Sequence, residues 1–246
     1  MSSDNMLDAG DDGQGELVMP FYLVCDVSLS MRTEIVALHD GITRLWQAAS
    51  MPVVDDLTRM SVITFSGEAR VVVPLSRMSE CKIPDFAHEN STPRYGNAFR
   101  VLAEEMAEDY AMLRRMGARV YRPCVYFLTD GEPSDRDWRQ TFKQTLTAEA
   151  LALRDMPSYA LIVPFGFRNA TERTMQGLVY PRDRSKYYHA SNVTIDGALM
   201  GLLGIIKKSV LNSQESMLAG ELDLDLPMPI PGSGITRGDG GSGPDD

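Results

Sequence analysis

Continuous apolar runs along this chain alternate with segments whose apolar residues recur every third or fourth position, the pattern of strands and helices in turn. The first run, residues 18–26, is apolar or aromatic almost throughout, as in a central parallel strand covered on both faces. A helix follows from about residue 33, with Ile35, Leu38, Ile42, Leu45, Trp46 and Ala49 forming one stripe. Residues 60–65 and 69–74 read as two strands joined by Ser66-Gly67-Glu68. That connection is short enough for a hairpin, and Pro74 suits an edge strand. Residues 80–90 have no period. Thr92-Pro93, followed by Tyr95, Ala98, Phe99, Leu102 and Met106, marks a helix with Pro93 at its first position. Further strands are predicted at 120–129, 159–163 and 186–189. A helix carries Trp138, Phe142 and Leu146, and a last helix spans 195–212 with Ala198, Leu199, Leu202, Ile206 and Val210 inward. The fold class is α/β: a doubly wound, Rossmann-like, mostly parallel sheet with one antiparallel edge strand and helices on both faces.

Composition adds the boundaries. The 246 residues fit one domain at 17–215 between an acidic tail at 1–16 and a Pro/Gly/Asp-rich tail at 216–246, both predicted to be disordered. The formal net charge of −10 sits in those tails. Asp4, Asp8, Asp11, Asp12 and Glu16 have no base among them, and Glu221, Asp223, Asp225, Asp239, Asp245 and Asp246 face only Arg237. The body is therefore neutral, which argues against nucleic-acid binding. No run approaches the roughly 20 apolar residues of a membrane span, and the acidic N-terminus is unlike a signal peptide. Cys25, Cys81 and Cys124 are odd in number and two lie in apolar runs, so reduced thiols in a cytoplasmic protein are expected. With no CxxC or His-rich spacing, a zinc site is not expected. His39, His88 and His189 are read as structural or exposed. The integrin-type tripeptide Arg237-Gly238-Asp239 is read as a chance match in a Gly-rich tail.

The first strand runs into Asp26-Val27-Ser28-Leu29-Ser30, at the carboxyl end where open α/β sheets bind ligands. Alternate spacing lets a curling loop aim one carboxylate and two hydroxyls at one centre, a hard oxygen set suited to Mg²⁺ or Mn²⁺. Asp130 ends the later strand that this topology lays beside the first, and Thr92 enters a helix from a third loop. Each residue also has a plainer role: Ser28, Ser30 or Thr92 as helix caps, and Glu132 and Asp135 as helix-start carboxylates.

The Asp-x-Ser-x-Ser run, separated Thr92, and Thr129-Asp130-Gly131, in that order, resemble the von Willebrand factor A (VWA) domain family and its metal-ion-dependent adhesion site (MIDAS). Tyr22-Leu-Val, Val62-Ile-Thr-Phe-Ser66, Val73-Pro-Leu75 and Leu128-Thr-Asp-Gly-Glu-Pro133 look most like its bacterial tellurium-resistance-associated, TerY-like branch. The resemblance implies that Ser28, Ser30 and Thr92 touch the metal, with Asp26 and Asp130 acting mainly through water. It departs at Asn90-Ser91-Thr92, where the family often has Gly-Gly-Thr. It further implies a non-catalytic module in a stress-response or tellurium-resistance-type system, whose partner donates an acidic residue to the metal. Kinases, phosphatases and ring ATPases are such partners in related systems. The alternative is a Mg²⁺-dependent phosphohydrolase of the haloacid-dehalogenase type, with Asp26 as nucleophile and Asp130 and Asp135 on the metal. That chemistry expects an aspartate where Ser28 stands.

Overall fold

A computed structural model describes residues 15–50, 52–157, 159–191, 195–218 and 226–240. In chain order the elements are β1 (Leu17–Asp26), a 3₁₀ turn (Leu29–Thr33), α1 (Ile35–Ala49), α2 (Pro52–Leu57), β2 (Thr58–Phe65) and β3 (Ala69–Ser76). Next come α3 (Tyr95–Arg115), β4 (Arg119–Val120), β5 (Cys124–Thr129), α4 (Trp138–Thr145), α5 (Ala148–Ala152) and β6 (Leu161–Phe167). The chain continues through α6 (Glu172–Leu178), β7 (Lys186–Ala190), α7 (Ile195–Leu218) and β8 (Ile235–Asp239).

The sheet order is β3-β2-β1-β5-β6-β7-β8, with β4 paired to the start of β1. Strands β2, β1, β5, β6 and β7 run parallel, so their carboxyl ends lie along one edge. Every residue of β5 and β6 is buried, which explains their unbroken apolar runs. The pleat divides β1 between two cores. Phe21, Leu23 and Cys25 meet Leu38, Ile42 and Trp46 of α1 and Leu202 and Ile206 of α7. Tyr22 and Val24 face Phe99, Leu102 and Met106 of α3, with Trp138 and Phe142 of α4 behind. Each fully buried large side chain contributes about 1.5–3 kcal/mol. Helices α1 and α7 approach so closely that a Cβ on Gly41 would lie 2.1 Å from Leu203 Cδ1. Among the described residues no helix is long and apolar enough to cross a membrane.

The structure corrects several expectations. The predicted antiparallel edge is present as β3 on β2. The opposite edge is antiparallel as well: β8 pairs with β7 from Lys186↔Asp239 to Ala190↔Ile235. This strand comes from the segment expected to be a disordered tail. The rest of that segment, apart from 226–240 and the end of α7 at Leu218, lies outside the described residues, as do residues 1–14. Arg237-Gly238-Asp239 sits within β8, with Asp239 paired to Lys186 and Arg237 donating to the Leu226 carbonyl. A Cβ on Gly238 would lie 2.4 Å from the Tyr187 ring, so glycine serves a close packing contact there. The single strand expected at 120–129 is split at Tyr121-Arg122-Pro123, because Pro123 has no N–H to donate. Helix α3 begins at Tyr95, two residues after Pro93. Cys25 and Cys124 are free, buried thiols, and burial pushes both far up in pKa.

A candidate metal centre at the carboxyl edge

Three loops meet above the ends of β1 and β5. The 27–30 loop is tied down by backbone bonds: Val27 N–H donates to Phe65 O, Glu89 N–H to Val27 O and Leu29 N–H to Ser91 O. The last of these lays the Thr92 loop alongside Leu29. Pairing of β1 with β5 sets Cys25 beside Leu128, which brings Asp26 level with Thr129 and Asp130.

Hydrogen bonds link Asp26 to Asp130, passing through the Ser28 main-chain N–H and then the Ser28 and Ser30 hydroxyls. Asp26 Oδ1 accepts the Ser28 N–H at 2.9 Å and Oδ2 accepts the Thr129 hydroxyl at 2.8 Å. The Ser28 and Ser30 hydroxyls are 3.1 Å apart, and Ser30 Oγ donates to Asp130 Oδ1 at 2.6 Å. Asp26, Ser28 and Asp130 are at most 1% exposed, whereas Thr92 is exposed and its hydroxyl joins none of the described hydrogen bonds. Four of the five predicted residues are thus brought together. The fifth lies on the adjoining loop.

The plainer readings divide. Ser28 flanks the 3₁₀ turn without a capping bond, and α3 starts after Arg94, so neither Ser28 nor Thr92 caps a helix. Asp135 does: its carboxylate accepts the N–H groups of Tyr95 and Gly96 at 3.0 and 2.7 Å. Glu132 accepts from the Thr171 N–H and the Thr174 hydroxyl at the start of α6.

Burial pushes the Asp26 carboxyl up to about 6, against hydrogen bonds from Ser28 and Thr129 that favour the carboxylate. Burial raises Asp130 too, opposed by the Ser30 hydroxyl and Arg168 and reinforced by the charge of Glu34. Two desolvated carboxylates flanking two hydroxyls fit a hard divalent cation. Among the described residues no three His, Cys, Asp or Glu side chains converge as a ligand group, so a metal here would rest on hydroxyls.

Sequence reasoning missed four participants. Thr129 stands in the sequence only as a motif position, yet its hydroxyl bridges Asp26 to the Tyr95 hydroxyl. Tyr95 also donates to Gly131 O at 2.7 Å, anchoring the aromatic core to the site. Glu34 is buried, and Arg168 reaches it from the end of β6. Only Thr129 carried a local signal; the others depend on which strand ends are neighbours.

The family model of the von Willebrand factor type A domain matches residues 21–198. The chain belongs to that family. Among solved structures it is similar to the ArnB paralogue VWA2 of Sulfolobus acidocaldarius, at 15% identity and TM-score 0.55, covering 80% of this chain and 45% of that one. It is similar to proximal thread matrix protein 1 of the mussel byssus, solved with a zinc-occupied MIDAS motif, at 13% identity and TM-score 0.56, covering 80% and 49%. BatB of Bacteroides thetaiotaomicron gives 13% identity and TM-score 0.55, covering 80% of this chain and 99% of that one. The chain spans about half the length of the first two proteins. At these identities the likeness establishes the fold. No curated protein matches the chain.

Proposed function

As a VWA-family chain, this protein is, we propose, a non-catalytic interaction module that captures an acidic side chain of a partner protein through a Mg²⁺ or Mn²⁺ ion. The observation that carries the reading is the hydrogen-bonded chain from Asp26 through Ser28 and Ser30 to Asp130 at the sheet edge. Ser28, Ser30 and Thr92 would hold the ion, with Asp26 and Asp130 supplying charge behind them. A bound ion would supply Lewis acidity toward a carboxylate oxygen. Leu29, half exposed between the two serines, offers the partner an apolar contact beside it.

The hydrolase alternative fits less well. Asp26 is 1% exposed with both oxygens accepting hydrogen bonds, a poor nucleophile, and Asp135 is committed to capping α3. The TerY-like branch, a cytoplasmic stress or tellurium-resistance setting, and a kinase, phosphatase or ring ATPase as partner are part of this proposal on motif resemblance alone.

Affinity capture from extract of the native host, in Mg²⁺ and in EDTA, tests the reading with wild type and Asp26→Asn. One retained protein should vanish both on chelation and in the variant. Retention that ignores both treatments, or aryl-phosphate turnover abolished in Asp26→Asn, would overturn it.

A further inference from the structure

Asp130 and Glu34 are buried carboxylates, and one guanidinium serves both. Arg168 Nη1 lies 3.1 Å from Glu34 Oε2 and 3.3 Å from Asp130 Oδ2, and it donates to the Ser30 carbonyl at 2.7 Å. Asp130 is thus divided between a hydroxyl on Oδ1 and a cation on Oδ2. Guanidinium is always charged and more weakly hydrated than an ammonium, which suits it to a place among carboxylates. The backbone is bent to deliver it. Arg168 has φ of 54°, a left-handed conformation that non-glycine residues rarely adopt. The turn is held by the Asn169 N–H donating to Asp130 O and the Ala170 N–H donating to Phe167 O. A rarely adopted backbone state that turns a charged side chain back over the sheet edge points to a role for that side chain.

We propose that Arg168 is a tethered counter-cation that sets the metal affinity of the site. Without it the charge of Glu34 would add, from beside Asp130, to the charges of Asp26 and Asp130 behind the hydroxyls. The guanidinium cancels one of those charges and lies against the same Asp130 that stands behind the ion. A positive charge there weakens the hold on a second cation. The contact with Ser30 O also keeps the serine loop in shape without metal, so metal entry is set against an arrangement that is already neutralised in part. The ion is therefore held less tightly than it would be without the guanidinium.

This inference rests on the metal reading above, and its test separates the two. Mg²⁺ and Mn²⁺ are titrated calorimetrically into wild type, Arg168→Met, Arg168→Gly, Arg168→Lys and Asp26→Asn. Methionine keeps an apolar stem without the charge. Glycine suits the left-handed backbone and guards against misfolding. Both neutral variants should bind metal about tenfold tighter or more, with Arg168→Lys near wild type. Tighter binding in the neutral variants, or binding that wild type lacks, supports the proposal. Wild-type binding that is unchanged or weakened in both neutral variants overturns it and leaves the metal reading standing. Absence of binding in every protein sinks both.

Discussion

Ending the chain after Leu218 should lower the melting temperature by about 10 °C or more. The segment looks dispensable by composition, but it completes the sheet and the core. Strand β8 pairs with β7 over its whole length, and Leu226 and Ile235 are buried in the cluster that holds Tyr188, Leu202 and Ile206. The buried Tyr188 hydroxyl donates to Pro227 O at 2.8 Å, a bond that the cut removes. Removing one buried large aliphatic side chain costs about 2–5 kcal/mol, so two cost about 4 kcal/mol or more. In a chain of this size each kcal/mol moves the midpoint by about 2–4 °C. The cut also bares the β7 edge, a template for pairing between chains. Thermal melts by circular dichroism decide it. A shift below about 3 °C would show that β8 adds little to the fold.

Tyr95→Ala should cost about 3–5 kcal/mol, while Tyr95→Phe costs about 1 kcal/mol. The ring is fully buried and meets Phe65, Phe99, Phe127 and Trp138 edge-on, so truncation opens a cavity that four aromatic neighbours cannot readily fill. The hydroxyl has a separate task, since it donates to Thr129 and Gly131 on the strand end that orients Asp26. Phenylalanine keeps the packing and frees Thr129, so metal binding in Tyr95→Phe should weaken more than stability does. Urea unfolding of both variants gives the energies. Equal losses would mean that ring and hydroxyl do not divide the work in this way.

Features written in local sequence were legible. The two-sided burial of β1, β5 and β6 appears as unbroken apolar runs, and the stripes of α1, α3 and α7 have helical spacing. The closeness of Asp26, Ser28, Ser30 and Asp130 was legible because a strand-end position and a loop spacing together bring these residues to one place on the sheet edge. Features made by distant partners were not. Helix α3 starts at Tyr95 because a carboxylate 40 residues away, Asp135, satisfies its first amides. Strand β8 has one buried residue, Ile235, and lies in a Gly-rich context, so neither alternation nor hydrophobicity marks it. Arg168 comes to Asp130 through the pairing of β6 with β5, a relation that no spacing in the sequence encodes.

Thermal melts with Mg²⁺ or Mn²⁺ titrated into wild type and Asp26→Asn show whether this hydroxyl-rich site takes a divalent ion. Asparagine can still accept the Ser28 N–H and donate toward Thr129 Oγ1, so the fold should survive while the charge is lost. Wild type should gain about 2.7 kcal/mol at a free metal concentration 100 times Kd, a rise of about 5–10 °C, reversed by chelation. Asp26→Asn should show no such rise. A wild-type melting temperature that does not move with either metal, or an equal rise in Asp26→Asn, would mean that these residues do not hold a divalent ion.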